Sequence, residues 1–168
     1  EENGLLRGLL ARAERRGVRP RPLSAPFTLD GFAPVRLDVL HPASIDAATS
    51  VNDGSLVLRL QHGGISFLLT GDIERDAEAT LLPALEQATV VKAPHHGSRT
   101  SSTEAFVRRV APKHVVFCVG RRNRFGFPHE DVQERYRAAG CTLHRTDLHG
   151  AITFSTDGDE LRVERTLD

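Results

Sequence analysis

Between residues 89 and 145, strand-like and helix-like segments follow one another at short, regular intervals. A strand at 89–92 precedes a helix at 103–110. A strand at 114–119 then leads to a helix at 129–139 and a strand at 141–145. Gly140 suits the C-terminal stop of the second helix. Such alternation predicts parallel strands joined by helices, an α/β architecture with helices packed on a sheet. In such layers ligand sites gather at strand ends. Three polar loops meet that criterion: one at Asp72, one at His95-His96 and one at 121–129.

The remaining segments are read the same way. Apolar positions 5, 6, 9, 10 and 13 form a helical stripe over 5–16, stopped by Gly17. Residues 18–35 are Pro-rich and expected to be irregular. Residues 35–40 alternate as a half-buried strand, ended by His41-Pro42. A polar loop at 43–53 precedes a strand at 55–60. His62-Gly63-Gly64 is a hairpin turn, and 65–69 is the returning strand. A helix is expected at 76–87, broken near Pro83. The chain closes on a hairpin, 151–154 and 160–165, turning at Asp157-Gly158. One α/β domain spanning 1–168, or part of one, accounts for all of this.

Of the 168 residues, 39% are hydrophobic and 26% charged, as in a soluble globular domain with a real core. No apolar run approaches the roughly 20 residues of a membrane span. The start is polar and no Met occurs, so the chain reads as an excised domain or fragment. Net charge is zero, so no global field draws the domain to DNA or membrane. Lys92 and Lys113 are the only lysines, and arginine supplies the other basic residues. Arg121, Arg122 and Arg124 form the best local patch for phosphates; the alternative is a solvated basic loop. Cys118 and Cys141 lie in apolar strand-like runs and read as buried thiols.

The most informative stretch is Ala93-Pro94-His95-His96-Gly97-Ser98. Adjacent histidines at a strand end suit a metal or phosphate site, since neutral imidazole binds zinc, manganese or iron. Gly97 lets backbone approach a ligand. Asp72, in Leu69-Thr70-Gly71-Asp72 after an apolar strand, is poorly placed for packing and well placed for a cation. The competing reading of the His pair is a hydrogen-bonded surface turn.

At these residues the chain resembles the metallo-β-lactamase superfamily, and more closely the metallo-β-lactamase-like domain at the C-terminus of ComEC proteins, the DNA-uptake channels of bacterial competence. The resemblance runs through Leu40-His41-Pro42, Asn52, Phe67-Leu68-Leu69-Thr70-Gly71-Asp72 and Val91-Lys92-Ala93-Pro94-His95-His96-Gly97-Ser98. It continues to Gly120, Arg145-Thr146-Asp147 and Gly150-Ala151-Ile152. It implies a four-layer αββα fold with a divalent metal pair, Mn2+ or Zn2+, that activates water for attack on a phosphodiester or carbonyl. Asp72 matches the metal-bridging aspartate, and His95 and His96 match the paired histidines. Asp72 and His96 are thereby assigned the catalytic roles. The implied activity is a nuclease that degrades the non-imported DNA strand at the extracytoplasmic face of the cell membrane, beside the channel domain of the same protein.

Two departures qualify the resemblance. The main His-x-[His/Asp]-x-Asp-His ligand run is expected before residue 1, which makes this the C-terminal part of the domain. A sheet missing its first strands is expected to self-associate or to pair with the absent part. The loop expected to read Tyr-Gly-His-Pro is Phe125-Gly126-Phe127-Pro128 here. His129 is then the substitute metal ligand, although Pro128 makes that register shift awkward. This favours a rival reading, a metal-degenerate module that guides DNA to the channel; a third is a stand-alone metallo-hydrolase of a small molecule.

Substrate contacts are expected from Lys92, Ser98, Asn52 and Arg124. Each has a bland counterpart: a snorkelling Lys92, an Asn52 that caps its loop, and a Ser98 that caps the helix near 102, which is the favoured reading. Phe125 and Phe127 are the only aromatic pair in a candidate loop. His41 and His149 read as structural, His62 and His144 as solvent-facing, and His114 as without chemical role.

Overall fold

A computed structural model of the chain describes residues 4–20, 23–44 and 50–167. Residues 21, 22 and 45–49, within the expected irregular segment and polar loop, lie outside the described residues. The α/β architecture is present. Helix α1 (Gly4–Arg15) precedes strands β1 (Phe27–Leu29), β2 (Arg36–His41), β3 (Val57–His62) and β4 (Ile65–Leu69). Helix α2 (Arg75–Leu81), β5 (Val90–Lys92), α3 (Glu104–Val110), β6 (His114–Phe117), α4 (Glu130–Ala138) and β7 (Thr142–Arg145) follow in alternation. A one-turn α5 (Thr146–His149) leads to the β8 (Ile152–Thr156) and β9 (Leu161–Arg165) hairpin.

Seven strands form one sheet in sequence order. The first four are antiparallel neighbours, as short connections such as Gly63-Gly64 require. The β4–β5, β5–β6 and β6–β7 pairs are parallel, because α2, α3 and α4 carry the chain back between them. The period-2 pleat then sorts side chains by face. Leu68, Val91, Val115 and Leu143 align across strands and meet Leu81, Phe106, Val110, Val132 and Tyr136 of the helical layer. Phe67, Val90 and His114 align on the opposite face. There Phe154 of β8 packs edge-on against Phe67, His114 and His144. Helices, large sheet and small hairpin are therefore stacked in that order.

Several expectations need correction. The β3 strand ends later than expected, so the turn is Gly63-Gly64 and His62 belongs to the strand. Helix α2 stops at Leu81, well short of 87. The Pro-rich segment contains β1, and α5 was not foreseen. His144 is 2% exposed rather than solvent-facing. Cys118 lies just past β6 and is exposed, whereas Cys141 is buried; both thiols are free. Helix α1 forms as expected but buries none of its residues, and Leu5 and Leu9 are 75% and 55% exposed.

A buried carboxylate ties the helical layer together. Glu78 on α2 is fully buried and accepts from the backbone N–H groups of Ser102 and Thr103 at the entrance of α3. Thr103 caps that helix by accepting from Phe106 N–H. Tyr136 donates to the Ser102 hydroxyl from the α4 side. Desolvation pushes the Glu78 carboxyl up, while its hydrogen bonds with Thr103 and Ser102 pull it back. Glu78→Ala would leave two donors without partners, a loss of roughly 2 kcal/mol, and Glu78→Gln would lose less because one acceptor remains. Urea unfolding of both variants checks the order; an Ala variant as stable as the parent would refute it.

Candidate functional site

Because β4, β5 and β6 run parallel, their C-terminal ends lie at one edge of the sheet. The loops that follow carry Asp72, His95-His96 and 121–129. The sequence reading of three loops at one edge thus matches the topology.

The first loop is pinned at Gly71, whose φ of +57° suits glycine; a Cβ there would meet Ser55 Cβ at 2.6 Å. Ser55 Oγ accepts from Asp72 N–H at 3.0 Å. Thr70 Oγ1 donates to Lys92 O at 2.9 Å and stitches this loop to β5. The Asp72 carboxylate is left half-exposed at the edge. Lys92 Nζ approaches Asp72 Oδ1 at 3.3 Å and is anchored on Gly71 O at 2.6 Å and Ala93 O at 3.1 Å. That lysine is a fixed cation of the site rather than a surface chain in solvent.

The second loop carries backbone strain. His95 and His96 have φ of +44° and +55°, a region disfavoured for side chains with a Cβ by about 1–2 kcal/mol per residue. Strain of this kind clusters where function demands it. Gly97 follows at φ +86°, and a Cβ there would sit 2.7–2.8 Å from Pro128 and the Phe117 ring. The tight turn aims the two imidazoles differently. His96 Nδ1 lies 2.7 Å from Cys118 O, so it carries the proton and donates. His96 Nε2 is then turned toward Asp72 Oδ1, 3.4 Å away. His95 Nδ1 lies 3.1 Å from Glu74 Oε1, which also accepts from the Thr100 hydroxyl.

Imidazole nitrogens oriented by a carbonyl or carboxylate on the opposite nitrogen are typical of metal ligands. The donor pair Asp72–His96 therefore fits part of a cation site. The fit is partial: among the described residues no group of three or more His, Cys, Asp or Glu side chains is arranged to hold an ion. Phe127 stands at the position where a third donor is expected. Its ring centroid is 5.6 Å from that of His95 and 6.5 Å from that of His96, stacked on the latter at 21°. The His129 ring meets Phe127 edge-on, with centroids 5.3 Å apart. Its backbone N–H donates to Gly97 O at 3.0 Å.

The other expected contacts sort as follows. Ser98 is buried, and its Oγ pairs with Thr100 Oγ1 at 2.9 Å; it is not the cap of α3, which is Thr103. Asn52 meets the edge through its carbonyl, which accepts from Ser55 N–H at 2.9 Å. Arg124 is exposed, with its guanidinium 5.5 Å from the Phe125 ring centroid. His41 is structural as expected: its Nε2 lies 2.6 Å from Asp53 O. The buried Asp53 accepts from Glu74 N–H at 2.8 Å and so holds the start of α2.

Glu74 and the Cys118 carbonyl escaped the sequence reading, and Ser55 and Asn123 enter it only as members of a strand and of a basic loop. Glu74 had a faint signal, two residues beyond Asp72. A backbone carbonyl has none, since any residue supplies it. The Cys118 thiol is pushed up from its ordinary value by partial desolvation, against the pull of Lys92, and so stays protonated near neutrality. It is not poised as a nucleophile.

No protein-family model matches the chain. It is 35% identical over 122 residues to ComE operon protein 3 of Bacillus subtilis, covering 71% of this chain and 16% of that protein. It is 38% identical over 117 residues to Competence protein ComA of Neisseria gonorrhoeae, covering 68% and 17%. It is 29% identical over 131 residues to Recombination protein 2 of Haemophilus influenzae, covering 78% and 16%. The chain spans about a sixth of the length of these relatives.

Proposed function

We propose that this chain serves natural transformation, as part of a metallo-β-lactamase-like domain that hydrolyses DNA phosphodiesters during uptake. Similarity to proteins named for competence supports the process. The observation that carries the chemistry is the strained turn that sets His96 Nε2 3.4 Å from Asp72 Oδ1 at the shared strand edge. Bound divalent metal would supply an activated water and neutralise charge on the phosphate. Asp72 and His96 would hold it, His95 would stand beside them under the hold of Glu74, and the remaining ligands would come from outside the described residues. Lys92, fixed at the edge with its three donors on Gly71 O, Ala93 O and Asp72, would add positive charge beside an approaching phosphate. Among the described residues no helix is long and apolar enough to cross a membrane. Placement at the extracytoplasmic face, next to a channel domain, belongs to this same proposal.

Two observations favour a second reading, a DNA-guiding module without catalysis. Lys92 already neutralises Asp72, and Phe127 replaces a donor with a ring. Manganese-dependent cleavage of a labelled oligonucleotide by the longer protein separates the two: cleavage supports the nuclease, and tight binding without cleavage supports the guide. For the 168-residue chain alone, two side-chain donors predict weak metal binding. Near-stoichiometric Mn2+ or Zn2+ retained through gel filtration would overturn that. The apolar stripe of α1 and the short edge strand β1 predict self-association of the isolated chain. Light scattering that shows a monomer at high concentration would count against it.

A further inference from the structure

The loop after β6 holds a ladder of planar groups that leads out from the His pair. Phe127 lies over His96 at 21°. Phe125 stacks on Phe127 at 20°, with centroids 5.6 Å apart, and is 62% exposed. A phenylalanine left this open is held by its stack on Phe127. Asn123 clamps Phe127, the inner step of that stack. Its Oδ1 accepts from Phe127 N–H at 2.9 Å, and its Nδ2 donates to Phe127 O at 2.9 Å and to Gly120 O at 3.3 Å. Gly126, at φ +70°, makes the bend at the tip. Arg121, Arg122 and Arg124 of the same loop are all exposed.

We propose that Phe125 is a stacking platform for a base of single-stranded DNA, with the loop arginines on the adjoining phosphates. The inference rests on the DNA reading above and adds which form of DNA is held and where. An aromatic face beside a basic loop is the usual device for gripping a single strand, because every base offers a π-face and every linkage a charge. A duplex keeps its bases stacked on one another and has none to lend. Arg124 now lies over the Phe125 ring. That cation–π contact is solvent-exposed and weaker than base stacking, so an arriving base takes the ring and the guanidinium turns to phosphate. From this step the ladder leads to Phe127 and His96, so a strand held at Phe125 has its next linkages near Asp72 and Lys92.

The absence of tryptophan from the chain makes the test specific. Fluorescein-labelled oligothymidylate is titrated by anisotropy against the parent, Phe125→Ala, Phe125→Trp and Arg122→Ala. Phe125→Ala should weaken binding roughly 5- to 100-fold with an unchanged salt slope. Arg122→Ala should lower the salt slope. Phe125→Trp should bind at least as well as the parent, and unlabelled oligothymidylate should quench the introduced indole. Full affinity in Phe125→Ala, or an unquenched indole at saturation, overturns the platform and leaves the DNA reading standing. A parent that binds duplex as well as single strand also overturns it. A parent that binds no DNA overturns both.

Discussion

Acidification from pH 7 to 4.5 should remove about 2 kcal/mol of folding stability through His144 alone, using roughly 1.4 kcal/mol per pKa unit. His144 sits between the large sheet and the small hairpin. Arg165 of β9 donates to its Nδ1 at 3.1 Å, which makes Nε2 the protonated nitrogen. Nε2–H then donates to His114 Nδ1 at 3.1 Å on β6. Phe154 of β8 and His149 of α5 complete the surroundings. A second proton on His144 has no acceptor to meet and faces a guanidinium. Burial, then Arg165, His114 and His149, push its pKa down to about 4. His114 is shifted down as well, by burial first and then Lys113 and Arg165.

The direction follows from proton counting. Between about 4 and the ordinary histidine value near 6.5, the unfolded chain binds more protons than the folded one, so stability falls as pH falls. Above 6.5 the contribution is complete; below 4 it is spent. Most carboxylates remain ionised across the upper part of that window, which separates this loss from ordinary acid unfolding. Urea unfolding at half-unit steps from pH 7 to 4.5 should show the slope. His144→Gln keeps a donor and an acceptor without a titratable proton, and should make it shallower, leaving the part that His114 and His149 contribute. A parent and a Gln variant with equal slopes would refute the role of His144.

The same histidine shows why part of the fold escaped the sequence. In β7 the pattern Thr142-Leu143-His144 puts Leu143 on one face and His144 on the other. With one covered face, His144 belongs in water. The second cover, β8–β9, is a distant hairpin whose docking partner is not written in local periodicity. The parallel strands were legible because each apolar run and each intervening helix has its own period. The one-turn α5 and three-residue β1 are too short to show one. Ser98 was assigned the cap because the helix start was placed loosely, and the structure gives that role to Thr103. At the candidate site, Asp72, His95 and His96 were readable as unusual residues at strand ends. Their orientation was not, since it depends on Glu74 and on a carbonyl.

Asp72→Asn should lower metal-dependent DNA hydrolysis by the longer protein on the order of a thousandfold, while the fold stays intact. Asparagine keeps the shape of the side chain and discards the charge that balances a cation. The fold should survive because the bond that pins this loop uses the Asp72 backbone N–H on Ser55, which the substitution leaves in place. The lost Lys92 contact is a part-exposed ion pair, worth about 0–1 kcal/mol. A reciprocal change sharpens the test. Phe127 lies against both imidazoles, so Phe127→His places a nitrogen donor beside His95 and His96. Under the nuclease reading it should tighten Mn2+ or Zn2+ binding about tenfold or more, read by calorimetry. Under the guiding-module reading, Asp72→Asn leaves DNA binding unchanged and Phe127→His gains no metal. A well-folded Asp72→Asn variant that cleaves at the parental rate would reduce Asp72 to a turn residue, with Lys92 as its structural partner.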